Sequence, residues 1–345
     1  MTRPTEARRY AAAGVDLATA ETAKERISRA VASTRTGLSV GAVGAFGGMV
    51  RIPSGMRQPT LVMSTDGVGT KVLVAQQAGR YDTVGECLVN HSVNDILVHG
   101  ARPIAFMDYI AGAGLTVDVL AAIVEGVARG CRAHEMALAG GETAQMPGLY
   151  QHGHFDLAGT IVGVVEEAEA LHGDRVRPGD VLIGYASTGL HTNGYTLARA
   201  IVADALQLDV GDRIPELGVT VADAFLAVHR SYARAVRPVL GKVHALAHIT
   251  GGGIAGNLVR VLPGNVEAVV DPGSWEWPPL FRLLQRAGAI SLGEMREVFN
   301  LGAGLIAVVP PGAVAEVREA ARADGIDTWV MGDVRAGSGA ARFAD

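Results

Sequence analysis

Asp66 lies at the end of an apolar run, in Leu61-Val62-Met63-Ser64-Thr65-Asp66-Gly67-Val68-Gly69-Thr70-Lys71. The run reads as a strand, and Asp66-Gly67 as the tight turn that ends it. A carboxylate there is a hard oxygen ligand of the kind Mg²⁺ takes, and Lys71 is a point charge suited to phosphate oxygens. Gly67 and Gly69, with Thr70 beside them, let backbone N–H groups come close to a phosphate. An ordinary β-turn with a solvated lysine is the plainer alternative, because Asp-Gly is common turn chemistry. The Gly-Lys-[Ser/Thr] ending of a Walker A loop is absent. Lys24, Lys71 and Lys242 are the only lysines among 30 basic residues, which argues against Lys71 as surface filler.

Two more acids fall in comparable settings. Asp95 sits in Leu88-Val89-Asn90-His91-Ser92-Val93-Asn94-Asp95-Ile96-Leu97-Val98, a helical segment apolar on most sides and therefore buried. A buried carboxylate needs a metal or a cation beside it. His91 and Asn94 lie near Asp95 on that helix, and His91 reads as a satisfied core histidine. Glu142 follows a short strand in Gly140-Gly141-Glu142-Thr143-Ala144-Gln145, a second strand-then-glycine turn carrying an acid. Further on, His191 and Asn193 occupy a Gly-flanked strand-to-helix loop, Gly189-Leu190-His191-Thr192-Asn193-Gly194, where they could meet a ligand or be plain loop residues.

Thr250-Gly251-Gly252-Gly253-Ile254-Ala255-Gly256 contains G-x-G-x-x-G after a strand, and Asp271 follows 20 residues after Gly251. On paper this is a dinucleotide fingerprint. Pro263 cuts its helix to about two turns, little chain remains for a Rossmann domain, and Asp66, Asp95, Glu142 and His191 would have no task. An NAD-binding oxidoreductase using Gly251 to Gly256 therefore stays the alternative reading.

The elements that must carry these residues fit two domains, with a link in the acidic, Pro- and Gly-containing stretch 166–180. The predicted division is 1–170 and 171–345. Of 345 residues, 49% are hydrophobic and 19% charged, an ordinary globular balance, while glycine at 45 is unusually frequent. A net charge of −5 supplies no basic field for nucleic acid. Cys87 and Cys131 are too few for a disulfide framework or a zinc site. With no apolar run long enough for a membrane span and no signal-like leader, the expected setting is cytoplasmic. Helices are predicted over 19–33, 83–99 (opened by a Thr83…Glu86 capping box), 117–131 and 221–238. A Gly-rich segment, 37–48, contains Val43 and Phe46 and reads as a linker or a lid over a ligand. Strands and helices alternate too irregularly for one doubly wound sheet, so the predicted class is α+β.

Taken in order, eight segments resemble the phosphoribosylformylglycinamidine cyclo-ligase family, also called aminoimidazole ribonucleotide synthetases. They are Tyr10…Gly14-Val15-Asp16, Phe46-Gly47-Gly48, Thr65 to Lys71, Val93-Asn94-Asp95-Ile96, Gly140 to Tyr150, His191-Thr192-Asn193-Gly194-Tyr195, His248-Ile249-Thr250-Gly251-Gly252-Gly253, and Phe299 to Gly304. Arg102 and Gln145 depart from the family's usual Glu, at positions assigned no chemistry. The resemblance implies a homodimer whose N-terminal halves form a β-barrel-like core with outer helices, and a C-terminal α/β sandwich. It implies ATP and Mg²⁺ as cofactors and formylglycinamidine ribonucleotide as substrate, closed to 5-aminoimidazole ribonucleotide with release of ADP and phosphate. Under it, Asp66, Asp95 and Glu142 hold Mg²⁺ and Lys71 neutralises transferring phosphate. His191 and Asn193 face the substrate, and Thr250 with Gly251, Gly252 and Gly253 binds phosphate. Among similar ATP-dependent families, selenophosphate synthetase would want a reactive Cys or Sec near the Gly-rich segment, and the hydrogenase-maturation relative a C-terminal Cys; neither is present. A non-catalytic nucleotide-binding module would not need His191 and Asn193 beside the carboxylates.

Overall fold

The computed structural model describes residues 26–42 and 47–344. The Tyr10–Asp16 segment, Val43 and Phe46 lie outside these, as does most of the first predicted helix, whose described part is helical over 26–32.

Two sheets organise the chain. A two-residue pair, β1 (Ser39–Val40) with β2 (Met49–Val50), leads into the first, built from β3 (Pro59–Gly67), β4 (Arg102–Gly112), β5 (Ala137–Gln145) and β6 (Phe155–Glu166). Its order is β3-β6-β4-β5, antiparallel except for β4 and β5. Three helices accompany it: α1 (Lys71–Ala78), α2 (Asp82–Leu97) and α3 (Val117–Ala133). α2 packs on both the sheet and α3, which is why its apolar residues run all the way round. The predicted capping box is wrong in detail. α2 starts at Asp82, Tyr81 holds the cap position without a side-chain bond, and the Thr83 hydroxyl is buried without a partner. Thr116 does cap α3, accepting from Val119 N–H. The helices cover one face of the sheet. On the other, Leu61, Met63, Met107 and Tyr109 are exposed.

The second sheet takes β7 (Val181–Ala186), then, after the small hairpin β8 (Arg213–Ile214) and β9 (Val219–Thr220), β10 (Ala245–His248), β11 (Val266–Val270), β12 (Ala303–Val309), β13 (Thr328–Ala336) and β14 (Ala340–Phe343). Its order is β10-β12-β7-β13-β11-β14. Every residue of β12 is buried, as its unbroken apolar run requires of a strand covered on both faces. The helix predicted over 221–238 is two short helices, Val221–Phe225 and Ala233–Val236, with an irregular segment between them that carries His229.

This mixed strand-and-helix architecture in two units removes the basis for a Rossmann site. β10 is an edge strand antiparallel to its one neighbour, and the helix after it, Gly253–Leu258, has six residues. Three strands separate β10 from β11, which places Asp271 far from Gly251–Gly256 instead of on the adjacent parallel strand.

Candidate active site

The site forms where the end of β3 meets α2 and three segments of the second unit. Asp66 turns its Oδ1 back to accept from Gly67 N–H at 2.6 Å. His91 and Asp95 lie one turn apart on α2 and so share a face. His91 Nε2 reaches Asp66 Oδ2 at 2.7 Å and Asp95 Oδ2 at 3.4 Å, and Ser64 Oγ donates to Asp95 Oδ2 at 3.1 Å. From the second unit, His248 Nδ1 donates to Asp95 Oδ1 at 2.8 Å. His248 Nε2 faces His229 Nε2 at 3.2 Å, His229 Nδ1 faces Thr192 Oγ1 at 3.3 Å, and Thr192 Oγ1 returns to His91 Nδ1 at 2.7 Å.

Charge follows from these partners. Burial opposes a charge on His91, but hydrogen bonds to Asp66 and Asp95 overcome it and push the ring up to about 9. Burial likewise opposes ionised Asp95, yet His248 and His91 hold it well below the usual carboxylate range. Asp66 is lowered too, by His91 against its partial burial. Burial keeps His248 and His229 below the ordinary imidazole value, so both are neutral. Cationic His91 then donates from both nitrogens, to Asp66 and to Thr192. The Thr192 hydroxyl then donates a hydrogen bond to His229 Nδ1, His229 Nε2–H donates to His248 Nε2, and His248 Nδ1–H donates to Asp95 Oδ1. The chain of bonds starts and ends at the two carboxylates.

Asp66 and Asp95 also line a cleft of about 430 Å³ between the units, with Ser64, His248, Thr250 and Arg260 on its walls. Asn257, buried behind Thr250, donates to the carbonyls of Thr250, Gly251 and Gly253 at 3.3, 3.2 and 2.8 Å and fixes that turn. Its Oδ1 holds Arg260 Nη1 at 3.3 Å. Asn193 Oδ1 accepts from Gly251 N–H at 3.1 Å, and its Nδ2 is buried without a partner. Thr70 Oγ1 meets Thr196 Oγ1 at 3.1 Å across the two units.

Three expectations need correction. Lys71 is fully buried, and its three donors go to Ala227 O (2.8 Å), His191 O (2.9 Å) and Cys87 Sγ (3.2 Å), leaving none for a phosphate. His191 lies behind His229, stacked on it with centroids 4.0 Å apart and 1% exposed, so His248 is the imidazole on the cleft wall. Burial holds the His191 imidazole well below its normal value. Thr188 N–H donates to its Nε2 at 3.2 Å, which leaves the proton on Nδ1, where it has no partner. Glu142 does not join Asp66 and Asp95 within one chain. Asp66 pairs with Gly159, Gly159 with Asp108 and Asp108 with Gly141, so Glu142 is three strands away, about 14 Å at the usual strand spacing.

Glu142 instead lines a second cleft of about 460 Å³ with Arg35, Gly47, Gly48 and Asp108. Ser39, Val40 and Ala42 also line it. Burial pushes the Asp108 carboxyl up to about 7. Gly141 is explained by that carboxyl, since a Cβ there would stand 2.2 Å from Asp108 Oδ1.

Sequence reasoning missed His91, Thr192, His229 and His248 as site residues. His91 carried a usable signal, four residues before Asp95 on a buried helix; His229 carried none.

Two mixed units closing on a cleft lined by carboxylates from one and a histidine from the other define a two-domain catalytic fold. Among solved structures it is similar to thiamine-monophosphate kinase from Stenotrophomonas maltophilia K279a, with TM-score 0.68 and 17% identity over 93% of this chain and 95% of that one. It is also similar to the hydrogenase maturation protein HypE in complex with ATP, with TM-score 0.64 and 19% identity over 93% and 90%. Family models described as AIR synthase related protein, N-terminal domain and C-terminal domain match residues 47–165 and 177–344. The phosphoribosylformylglycinamidine cyclo-ligase of Sorangium cellulosum (strain So ce56) is 47% identical over 329 residues, 94% of each chain. That of Thermosynechococcus vestitus is 46% identical over 334 residues, 96% of this chain and 97% of the relative. The chain belongs to the AIR synthase related family, among the phosphoribosylformylglycinamidine cyclo-ligases.

Proposed function

We infer that the chain performs the reaction for which these relatives are named, a carbon–nitrogen bond-forming ligation in purine biosynthesis. Formylglycinamidine ribonucleotide and ATP give 5-aminoimidazole ribonucleotide, ADP and phosphate. The observation that carries the site assignment is the convergence of Asp66 and Asp95 with His248, Thr250 and Arg260 on one cleft.

A formamide oxygen leaves only after phosphorylation, and phosphoryl transfer depends on placement and charge neutralisation more than on covalent help. Asp66 and Asp95 fit Mg²⁺, which takes one or two carboxylates and completes its shell with phosphate and water. Their oxygens are hard, ionised, and oriented from behind by His91 and His248. Bound there, the ion would neutralise the transferring phosphoryl group. Gly67, Gly251 and Gly253 spend their N–H groups on Asp66, Asn193 and the Thr250 carbonyl, so Gly69 beside Asp66 and Gly252 in the turn pinned by Asn193 and Asn257 are the glycines that offer backbone N–H groups to phosphate oxygens. Arg260 adds the cation that Lys71 does not supply. His248, neutral and on the cleft wall, replaces His191 as the imidazole nearest substrate. The cleft around Asp108, Gly141 and Glu142 is the place we assign to the rest of the nucleotide; HypE, which shares the fold, has been crystallised with ATP.

We place the boundary between a nucleotide-binding, dimerising unit and a substrate-binding unit at 170/171. The uncovered apolar face of the β3-β6-β4-β5 sheet supports a homodimer closing a barrel-like core, since antiparallel sheets leave a face bare only where it is polar or covered. Among the described residues no helix is long and apolar enough to cross a membrane.

Ligand-dependent melting tests the site. ATP–Mg²⁺ is expected to raise the melting temperature by mass action and NAD to leave it unchanged, with Asp66→Asn losing most of the ATP–Mg²⁺ shift. A shift with NAD alone, or an undiminished shift in Asp66→Asn, would overturn the assignment.

A further inference from the structure

Lys71 is a buried cation without a task in the reaction as assigned above. Its ammonium sits 5.4 Å from the centroid of the Tyr195 ring, and its partners are two carbonyls and a thiol. Burying an ammonium against neutral partners is costly, and a methionine of similar length would fill the same volume without that cost. Stability alone therefore does not explain a lysine here. Its directionality does.

Both carbonyls belong to the second unit, whereas Lys71 opens α1 in the first. One is the carbonyl of His191, which holds φ at 60° without being glycine, a conformation that persists only where its surroundings enforce it. The other, Ala227 O, begins the irregular segment that breaks the 221–236 region. That segment is tied to α2 at further points: His229 N–H donates to Cys87 Sγ at 3.3 Å, Asn90 Nδ2 to His229 O at 2.8 Å, and Asn94 Nδ2 to Arg230 O at 2.8 Å. Tyr232 N–H donates back to Asn94 Oδ1 at 3.0 Å. Cys87 thus receives one donor from each unit.

We propose that Lys71 is a positioning residue, a strut across the two units that sets the His191–Thr192 turn and the His229 segment against α2. Thr192 follows His191 directly and bridges His91 to His229, so the strut acts on the bonds that orient Asp66 and Asp95. It touches neither substrate nor phosphate. This rests on the ring-closing reading of the cleft, which an independent spectroscopic arm keeps separable.

The test is Lys71→Met, with kinetics, melting, and ¹⁵N-histidine spectra that report ring tautomers. The expected result is a melting temperature within a few degrees of wild type, a KM for ATP within about twofold, and kcat lower by roughly 10–100-fold, the scale of a misplacement near 1 Å. The ring signals of His191 and His229 shift, including that of the unpartnered Nδ1–H of His191. If Lys71→Met fails to fold, Cys87→Ala carries the test: it leaves one Lys71 donor and His229 N–H unpaired and is expected to lower kcat in the same direction, with Cys87→Ser restoring most of it. A KM for ATP at least tenfold higher with kcat retained would overturn the strut in favour of a phosphate ligand. A kcat loss that only tracks lost melting temperature, or wild-type kcat with unchanged histidine spectra, would overturn it as well. If the wild-type chain closes no ring, the functional reading fails, and unchanged histidine spectra in Lys71→Met are then what would sink the strut.

Discussion

His91 is where the two carboxylates and the second unit meet. Two ionised acids on one cleft repel each other, and a cationic ring between them offsets that repulsion; each of their four oxygens already accepts a hydrogen bond, so a metal would take a second lone pair. The linkage has a definite sign. The ring's folded value, about 9, lies above its ordinary 6.5, so its stabilisation is complete below about 6.5 and is lost as pH rises through 9. At 1.36 kcal/mol per pH unit the upper bound is about 3 kcal/mol. Unfolding midpoints in denaturant are therefore expected to fall for the wild type between pH 7 and pH 10, and to change much less over that range in His91→Gln. Parallel pH curves for the two proteins would show that His91 is neutral and that Asp66 and Asp95 are held otherwise.

At the scale of elements, the sequence shows best what local pattern decides. β12 follows from its unbroken apolar run and α2 from its all-round apolar surface; Asp66 follows from a strand ending in Asp-Gly, and Asp95 from the cost of burying an acid. The His229 segment stayed hidden because Val221, Phe225, Val228, Tyr232 and Val236 keep near-helical spacing through it. What breaks the helix is non-local, the donors of Lys71, Asn90 and Asn94 competing for its carbonyls. Glu142 resembles Asp66 in sequence because each acid follows an apolar run beside glycine, yet β5 continues through Glu142 to Gln145 with no turn there. The order β3-β6-β4-β5, which no local pattern encodes, separates them. Strand β12 also sets the room behind the histidines. A Cβ on Gly304 would lie 2.0 Å from Tyr232 Oη and 2.5 Å from His191 Cε1. Gly304→Ala is expected to cost about 1–3 kcal/mol in denaturant unfolding, as overpacking does, and to lower kcat with it. Wild-type stability in that variant would mean that His191 and Tyr232 are not packed as described.

The whole molecule leaves one sheet face without cover. Met63, 65% exposed, stands beside Leu61 on the edge strand β3, with Met107 and Tyr109 on the same face of β4, beyond β6. Sedimentation of the wild type is expected at twice the 35.7 kDa chain mass, and Met63→Lys is expected to shift it toward the monomer. A wild-type monomer at micromolar concentration, or a Met63→Lys protein that remains dimeric, would remove this face as the interface.

The two units, the cleft between them and the family's reaction make one claim, that ring closure is coupled to ATP cleavage on this chain. The measurement that reaches it most directly is product stoichiometry: purified protein with formylglycinamidine ribonucleotide, ATP and Mg²⁺, following aminoimidazole ribonucleotide, ADP and phosphate together. The three are expected to appear in equal amounts, and none without the ribonucleotide. ADP released without an imidazole product, or an imidazole product formed without ATP, would contradict it.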